Sequence, residues 1–157
     1  MPTIHCLSGY IGFGKTTLAK QLAIQYNAKR ITPDEIMIQL YGTDVQSDFM
    51  QKAEEVNQYV WQQIEECIQK GEDVIFDTGP WGIEDRKYIM NKDNNLNTTV
   101  IWHQIQCSLE TAKKRTLVRA QQTGELSVDE KFFDDNLKRY VPITANENLQ
   151  VVYHNGE

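Results

Sequence analysis

Residues 9–16 read Gly-Tyr-Ile-Gly-Phe-Gly-Lys-Thr, a full match to the pattern of one glycine, four variable residues, and then Gly-Lys-Thr or Gly-Lys-Ser. An apolar run at 3–7 precedes this stretch, and apolar residues at helical spacing follow it. Glycines permit positive φ angles and a close approach of the backbone, so successive N–H groups can wrap a phosphate at the start of a helix. The pattern predicts a strand, a phosphate-binding loop (residues 9–16) and a helix. The alternative is a surface turn followed by an ordinary Lys and Thr.

The side chains that close this loop predict a nucleotide and a metal ion. Lys15 is placed to reach the β- and γ-phosphates of ATP, and the Thr16 hydroxyl is placed to bind Mg²⁺. A side chain at Gly14 is expected to obstruct the wrapping of the phosphates. The predicted nucleotide-binding residues are Gly9, Tyr10, Ile11, Gly12, Phe13, Gly14, Lys15, Thr16 and Thr17.

Short apolar runs alternate with helical patterns along the rest of the chain. Strands are predicted at 29–31, 74–76, 100–102 and 149–153, and helices at 33–40, 48–70, 83–90, 108–122 and 128–140. The strand candidates lack strong polar alternation, which is typical of parallel strands covered by helices on both faces. The order of elements predicts an α/β fold with a parallel sheet, in a single domain spanning 1–157.

Two acidic residues follow strand candidates, where ligands bind in open α/β sheets. Asp77 ends the run at 74–76 and is predicted to hold Mg²⁺, through a water, opposite Thr16. The alternative is an Asp that opens the turn at 77–80. Asp34 follows the run at 29–31 and is the candidate general base for an acceptor hydroxyl. Its alternative role is to favour the helix dipole, beside a capping box made by Thr32 and Glu35.

The predicted helix at 108–122 carries a cluster of basic residues: Lys113, Lys114, Arg115 and Arg119. An Arg on a mobile lid can close over a nucleotide and stabilise transferred charge, so Arg115 and Arg119 are candidate catalytic residues on a lid at about 108–140. A solvated basic face is the alternative. Arg86, with Trp81 in the same segment, is a candidate ligand for an anionic group of the acceptor, the alternative being a surface ion pair with Glu84 or Asp85.

Three further features of the sequence, an Asn-Lys-Asp-Asn stretch, the histidines and the cysteines, are not assigned a function. The sequence Asn-Lys-Asp-Asn at 91–94 resembles a guanine-reading motif, but its Asp is one position early and it does not end a strand. His5, His103 and His154 are isolated in sequence and are predicted to be packing or surface residues without a role. The three cysteines are widely spaced, which is typical of thiols in a reducing compartment, and we expect a cytoplasmic protein.

The composition limits which classes of partner the protein is expected to bind. The formal charge of −6 argues against extended contact with nucleic acid, because that binding depends on Lys and Arg neutralising phosphates. No stretch approaches the roughly 18 apolar residues of a membrane span. With 40% apolar and 24% charged residues, the chain has the profile of a globular protein with one core. The oligomeric state stays open.

Taken in order, the loop at 9–17, the sequence Thr-Pro-Asp-Glu at 32–35 and Val-Ile-Phe-Asp at 74–77 resemble the small P-loop kinases related to gluconate, shikimate, polynucleotide and chloramphenicol kinases and to zeta toxins. The resemblance implies a three-layer fold with strand order 2-3-1-4-5, a base at Asp34 and lid arginines at Arg115 and Arg119. It also implies an acceptor-side loop at 77–86, containing Trp81. Tyr10, Ile11 and Phe13 are bulkier than the residues found in many of these kinases.

Three functions fit the sequence. The first is an ATP- and Mg²⁺-dependent kinase that acts on a hydroxyl of a small molecule which the sequence does not name. The second is a nucleotide-dependent switch or hydrolase, with water as the acceptor. The third is a polynucleotide 5′-end kinase, in which the basic residues at 113–119 track a backbone.

Overall fold

The computed structural model describes residues 1–42, 48–122 and 129–157. Its described residues form one parallel sheet in the order β2-β3-β1-β4-β5, which confirms the predicted strand order. The strands are β1 (Thr3–Ser8), β2 (Lys29–Ile31), β3 (Val74–Phe76), β4 (Thr99–Gln106) and β5 (Val151–Asn155). β1 lies at the centre of the sheet, so the loop that follows it opens in the middle of the carboxyl edge.

The helices described are α1 (Lys15–Gln25), α2 (Pro33–Tyr41), α3 (Phe49–Gln69), α4 (Ile83–Leu96), α5 (Leu109–Arg119) and α6 (Glu130–Leu137), and a single 3₁₀ turn spans Ala145–Glu147. α4 is six residues longer than predicted, because the sequence at 91–94 continues the helix until Asn97 ends it with a positive φ. None of the helices in the described part of the chain is both long enough and apolar enough to cross a membrane.

Two apolar layers sandwich the sheet. Ile4 and Cys6 of β1 pack with α3 and α4, whereas Leu7 packs on the opposite face with α1, α5 and α6. Successive side chains of a strand point to opposite faces, so one apolar strand supplies both layers. α3 contributes the largest helical surface, with these buried residues: Val56, Val60, Trp61, Ile64 and Cys67. The predicted three-layer arrangement is confirmed.

The ends of two elements show what the sequence pattern captures and what it misses. Gly71 has a φ of +77° just beyond α3, and the Glu72 N–H donates to the Cys67 carbonyl, so the predicted glycine stop is confirmed. β4 extends four residues past its predicted end, to Gln106. His103 and Gln104 interrupt the apolar run in sequence, yet both are buried in the sheet.

The three histidines, expected to be isolated, form a row across one face of the sheet. A hydrogen bond of 3.0 Å joins His5 Nδ1 to His103 Nε2, and one of 2.8 Å joins His103 Nδ1 to His154 Nε2. The His5 ring also stacks on Tyr26 at the end of α1, with 4.4 Å between the ring centroids. The expectation of isolation was wrong because parallel pairing of β1, β4 and β5 brings together residues that are far apart in sequence.

Candidate nucleotide and acceptor site

The phosphate-binding loop connects β1 to α1, and two of its glycines have positive φ angles. Gly12 has a φ of +79°, and a Cβ there would lie 2.3 Å from the Ala112 carbonyl oxygen and 2.7 Å from Thr116 Oγ1 of α5. Gly14 has a φ of +93°, but a Cβ there would meet no protein atom within 4 Å. Gly12 therefore lets α5 pack against the loop, while the protein requires glycine at 14 for its backbone conformation.

Lys15, the first residue of α1, bends back over the loop. Its Nζ donates hydrogen bonds to the carbonyl oxygens of Gly9 (2.7 Å) and Tyr10 (3.1 Å). Removal from water lowers the pKa of Lys15 to about 8, although the charges of Asp77 and Asp34 act to raise it. The ammonium group thus already lies beside the loop, close to two carboxylates.

Thr16 and Asp77 meet at the carboxyl edge, as predicted for the metal-binding pair. The Thr16 side chain lies close enough to Asp77, which is 6% exposed, to influence its carboxyl group. Burial raises the pKa of Asp77, and Arg30 and Thr16 oppose that rise. A hydroxyl and a carboxylate are the oxygen ligands that Mg²⁺ accepts beside phosphates, so these residues fit the ion.

Arg30 is also part of this site, although it is not among the residues predicted from the sequence. Its NH1 lies 3.2 Å from Asp77 Oδ2, and its NH2 donates to both carboxylate oxygens of Glu35, at 2.8 and 2.9 Å. Pairing of Ile31 with Phe76 places the end of β2 beside the end of β3, which brings Arg30 within reach of Asp77. Arg30 thereby joins β2, β3 and the start of α2.

The predicted capping box at the start of α2 is wrong. Thr32 does precede the helix and Pro33 is its first residue, but the Thr32 side chain makes no bond to a helix N–H. Its hydroxyl accepts from Arg30 NH1 and lies 3.5 Å from Asp77 Oδ2, and Glu35 pairs with Arg30. A buried carboxylate and an arginine compete successfully for groups that would otherwise cap the helix.

Asp34 lies in the first turn of α2 and is exposed. Partial removal of its carboxyl group from water raises its pKa, the charge of Asp77 raises it further, and Lys15 lowers it. Asp34, Asp77 and Lys15 are therefore close enough to act on one another's charge, and the Asp34 carboxyl is open to solvent. That position is compatible with the predicted base.

Arg86 does not occupy the position predicted for an acceptor ligand. It is 1% exposed, and its guanidinium binds both oxygens of Glu147, at 2.7 and 3.0 Å, and the Val141 carbonyl oxygen at 2.8 Å. The alternative pairing with Glu84 or Asp85 is also wrong. A buried guanidinium needs a charged partner and further acceptors, and here they come from the chain after α6, about 60 residues away in sequence.

The bulky residues of the loop serve packing. Tyr10 is fully buried, and its ring lies 5.0 Å from Phe133, 5.4 Å from Trp81 and 5.6 Å from Tyr140, measured between ring centroids. Its hydroxyl donates to the Phe133 carbonyl of α6. These aromatic contacts attach α6 and the segment after β3 to the phosphate-binding loop. Trp81 is half-buried in them, beside Gly79.

The candidate lid arginines differ in their surroundings. Arg115 NH1 donates to the carbonyl oxygens of Gly12 (3.3 Å) and Gly156 (2.5 Å), so it braces the loop from the α5 side. Arg119 is exposed, and its charge contributes to the lowered pKa of Lys15, which places it near the phosphate-binding lysine. Residues 123–128 of the predicted lid lie outside the described residues.

The two lysines of the predicted basic patch are paired with acids. Lys113 Nζ lies 2.9 Å from Glu130 and 3.1 Å from Asp134 of α6. Lys114 Nζ lies 3.2 Å from Glu110, one turn earlier on α5. The Lys113 pairs join α5 to α6, and all of these pairs reduce the positive potential that a nucleic-acid backbone would need.

The sheet order, the glycine-rich loop after the central strand, and the Lys-Thr pair that opens α1 define a P-loop nucleotide-binding protein of the kinase type. The chain belongs to the AAA domain family AAA_33, a P-loop kinase family whose model matches residues 4–143.

Individual relatives agree with this assignment. A 74-residue stretch is 36% identical to a shikimate kinase of Azobacteroides pseudotrichonymphae genomovar. CFP2, covering 46% of this chain and 44% of that protein, so less than half of the relative's length is matched. A kinase candidate of Chloroflexus aurantiacus j-10-fl superposes with a TM-score of 0.76 at 17% identity, covering 98% of this chain and 85% of that one. A gluconokinase of Sinorhizobium meliloti 1021 gives a TM-score of 0.61 at 12% identity, with coverages of 98% and 82%. The two structures show the shared fold.

Proposed function

We propose that this protein is an ATP- and Mg²⁺-dependent phosphotransferase that moves the γ-phosphate to a hydroxyl group of a small molecule. One observation carries the proposal: Lys15, Asp77 and Asp34 act on one another's charge at the edge of the sheet where the glycine-rich loop opens. A phosphate-binding cation, a metal-binding carboxylate and an open carboxyl are the three groups that phosphoryl transfer needs in one place.

Each residue has a role in this scheme. The loop N–H groups and Lys15 hold the phosphates, and Thr16 and Asp77 are the residues that would hold Mg²⁺. The metal, when bound, neutralises charge on the phosphates. Asp34 accepts the proton of the acceptor hydroxyl, whose oxygen bonds to the γ-phosphorus as the bond between that phosphorus and the bridging oxygen of ADP breaks. Arg119 offsets charge on the transferred group, and Arg115 supports the loop.

A small acceptor fits better than a polynucleotide. The chain carries a net charge of −6, and Lys113 and Lys114 are engaged in ion pairs. The names of two relatives, shikimate kinase and gluconokinase, also specify small hydroxylated acceptors.

The three cysteines are free thiols in the structure, which supports our placement of the protein in the cytoplasm.

The test is ADP formation from ATP and Mg²⁺, with and without a panel of hydroxylated metabolites, aminated sugars, nucleosides and oligonucleotides, with phosphorylated products identified by mass. Asp34→Asn should lower transfer by about 10²–10⁴-fold, because the base is removed, while nucleotide affinity is retained. Asp135→Asn, the same change on an exposed residue of α6, is the matched control. Slow hydrolysis that no compound stimulates, and that Asp34→Asn leaves unaltered, would instead indicate the hydrolase or switch.

A further inference from the structure

A cavity of about 220 Å³ opens between α3 and α4, at the carboxyl end of β3. Phe76, Thr78 and Gly79 form its sheet side, so the wall includes both neighbours of Asp77 in sequence. A Cβ built on Gly79 would lie 3.9 Å from Lys15 Cε, which places this wall next to the phosphate-binding lysine. The volume is below the roughly 300 Å³ of pockets for drug-sized ligands, so it suits one small metabolite.

The helical walls present polar groups and aromatic rings. Trp61 of α3 is 5% exposed, and its indole N–H has no hydrogen-bond partner among the described residues. The N–H is itself out of reach of solvent, and a buried N–H left unpaired costs about 1–3 kcal/mol, so a ligand oxygen that came to pair with it would be stabilised. Beside it, the Asn57 amide donates to the Tyr88 hydroxyl at 2.9 Å. This combination of donors, acceptors and ring surfaces suits a hydroxylated ligand.

The charge of the walls restricts the ligand further. Asp85 is the one carboxylate among the described residues that line the cavity, and no Lys, Arg or His is among them. A groove that shares Asn57, Trp61 and Tyr88 continues outwards past Glu54 and Glu65. Lys92 lies there too, with its ammonium 5.8 Å from the centroid of the Tyr88 ring.

The nearest arginines are not available to an anionic ligand. Arg86 is buried against Glu147, and Arg30 is held by Asp77 and Glu35. A carboxylate entering the cavity would therefore meet Asp85 without a free guanidinium from either arginine. An ammonium group would meet the Asp85 carboxylate and the rings of Trp61 and Tyr88.

We propose that this cavity receives the acceptor and that the acceptor is a hydroxylated small molecule carrying an amine, of the size of one amino sugar. The inference rests on the phosphotransfer proposed above, because it assigns the acceptor of that reaction. Asp85 and the rings of Trp61 and Tyr88 bind the ammonium end. The Trp61 N–H binds an oxygen, and the reacting hydroxyl faces Asp34 and the phosphates.

The test measures binding without turnover, by titrating the wild-type protein, held with ADP and Mg²⁺, with glucosamine, glucose and gluconate. These probes are close in size but carry a positive charge, no charge and a negative charge. Glucosamine should bind at least about fivefold more tightly than glucose, from one desolvated cation–π or ion-pair contact, and gluconate should bind most weakly.

Two variants assign the preference to residues. Asp85→Asn should remove most of the advantage of glucosamine over glucose, whereas Glu84→Gln should preserve it. Glu84 is a carboxylate in the same turn of α4, but it is absent from the cavity wall and pairs with Lys87. Trp61→Phe keeps a ring and removes the N–H, so it should weaken all three probes by a similar factor of about five.

Gluconate binding most tightly, or none of the three probes binding, would overturn the inference. So would a preference for glucosamine that Asp85→Asn leaves unaltered. Phosphorylated product is measured separately, with ATP in place of ADP. Glucosamine that binds with the expected dependence on Asp85, but is never phosphorylated, would sustain the cavity's ligand class and contradict the phosphotransfer.

Discussion

At the carboxyl edge of the sheet, the nucleotide side and the proposed acceptor side are encoded in the amino-acid sequence in different ways. The nucleotide side is largely continuous in sequence, since residues 9–17 supply the loop, and Asp77, Arg115 and Arg119 join it from distant parts of the chain. The proposed acceptor side, the α3–α4 cavity, is assembled from α3, the end of β3 and the start of α4. Phosphate recognition uses backbone N–H groups, which demand glycines at fixed spacing, whereas acceptor recognition uses side chains from separate elements. A motif can therefore reveal the nucleotide side but not the acceptor side.

The largest effect is expected at Arg86, which borders the acceptor side without taking part in it. Arg86→Ala leaves the Glu147 carboxylate, 10% exposed, without its charged partner, and should lower the free energy of unfolding by about 3–5 kcal/mol in urea denaturation. Lys87→Ala, next in sequence and paired with exposed Glu84 at 3.4 Å, should change it by less than about 1 kcal/mol. If Arg86→Ala left the stability unaltered and raised the KM for the acceptor, Arg86 would instead be a residue that binds the acceptor.

The next effect separates the two sides. Lys15→Ala removes the phosphate-binding cation and should lower turnover of ATP by about 10²–10³-fold, while binding of the acceptor probe to the α3–α4 cavity stays within twofold. Initial rates and titration calorimetry measure the two quantities. Lys20→Ala, an exposed lysine of α1, is the control. Equal losses of ATP turnover and of probe binding would show that the nucleotide side and the cavity act as one cooperative unit.

A smaller effect tests how the nucleotide side is supported. Gly12→Ala adds a Cβ that would lie 2.3 Å from a backbone oxygen of α5, at a φ of +79°, and should cost about 2–4 kcal/mol of stability. Gly71→Ala has a similar φ, +77°, with open space around it, and should cost about 1–2 kcal/mol from strain alone. Thermal denaturation compares them, and equal losses would contradict a close contact between α5 and the loop.

The smallest effect is a dependence on pH confined to the nucleotide side. Lys15 has a pKa of about 8 in the nucleotide-free protein, and binding of phosphates favours its charged form. Nucleotide affinity should therefore be flat below pH 8 and fall by up to about tenfold per pH unit above it, with uptake of a proton on binding. Calorimetry in buffers of different ionisation enthalpy measures that uptake. Lys15→Ala should remove the dependence, and a flat wild-type profile to pH 9.5 would contradict the lowered pKa.

The sequence predicted those parts of the molecule that depend on local pattern. All five strands and their order follow from apolar runs together with the family resemblance. Asp34 and Asp77 lie at the edge because parallel strands end together. The end of β4 was missed because His103 and Gln104 are polar, although Gln104 is satisfied by the Ser8 carbonyl at 3.2 Å and the Tyr140 hydroxyl at 2.8 Å. Burial of a polar residue depends on partners that a sequence window does not contain.

The same limit explains the side chains that were missed or misplaced. Arg30 reaches Asp77 only because β2 lies beside β3, and Arg86 reaches Glu147 only because the chain returns after α6. Charged residues have no periodicity that identifies distant partners. Tyr10 and Phe13 depart from the small residues of many related loops because Tyr10 packs against Phe133 of α6 and Phe13 packs against Tyr140, just beyond that helix. The packing role of these two residues is visible only in the tertiary structure.

The row of histidines on β1, β4 and β5 has a consequence for where hydrogens can reside. Each neutral ring carries one N–H, and burial together with the neighbouring rings lowers the pKa of His103 to about 4, so the central ring is neutral near pH 7. Because neutral His103 has one N–H and takes part in two hydrogen bonds, it donates one bond and accepts the other. All the N–H groups that make these bonds therefore point the same way along the row. If His103 exchanges its tautomer, His5 and His154 must follow, so three strands share a single proton arrangement that shifts as a unit or not at all.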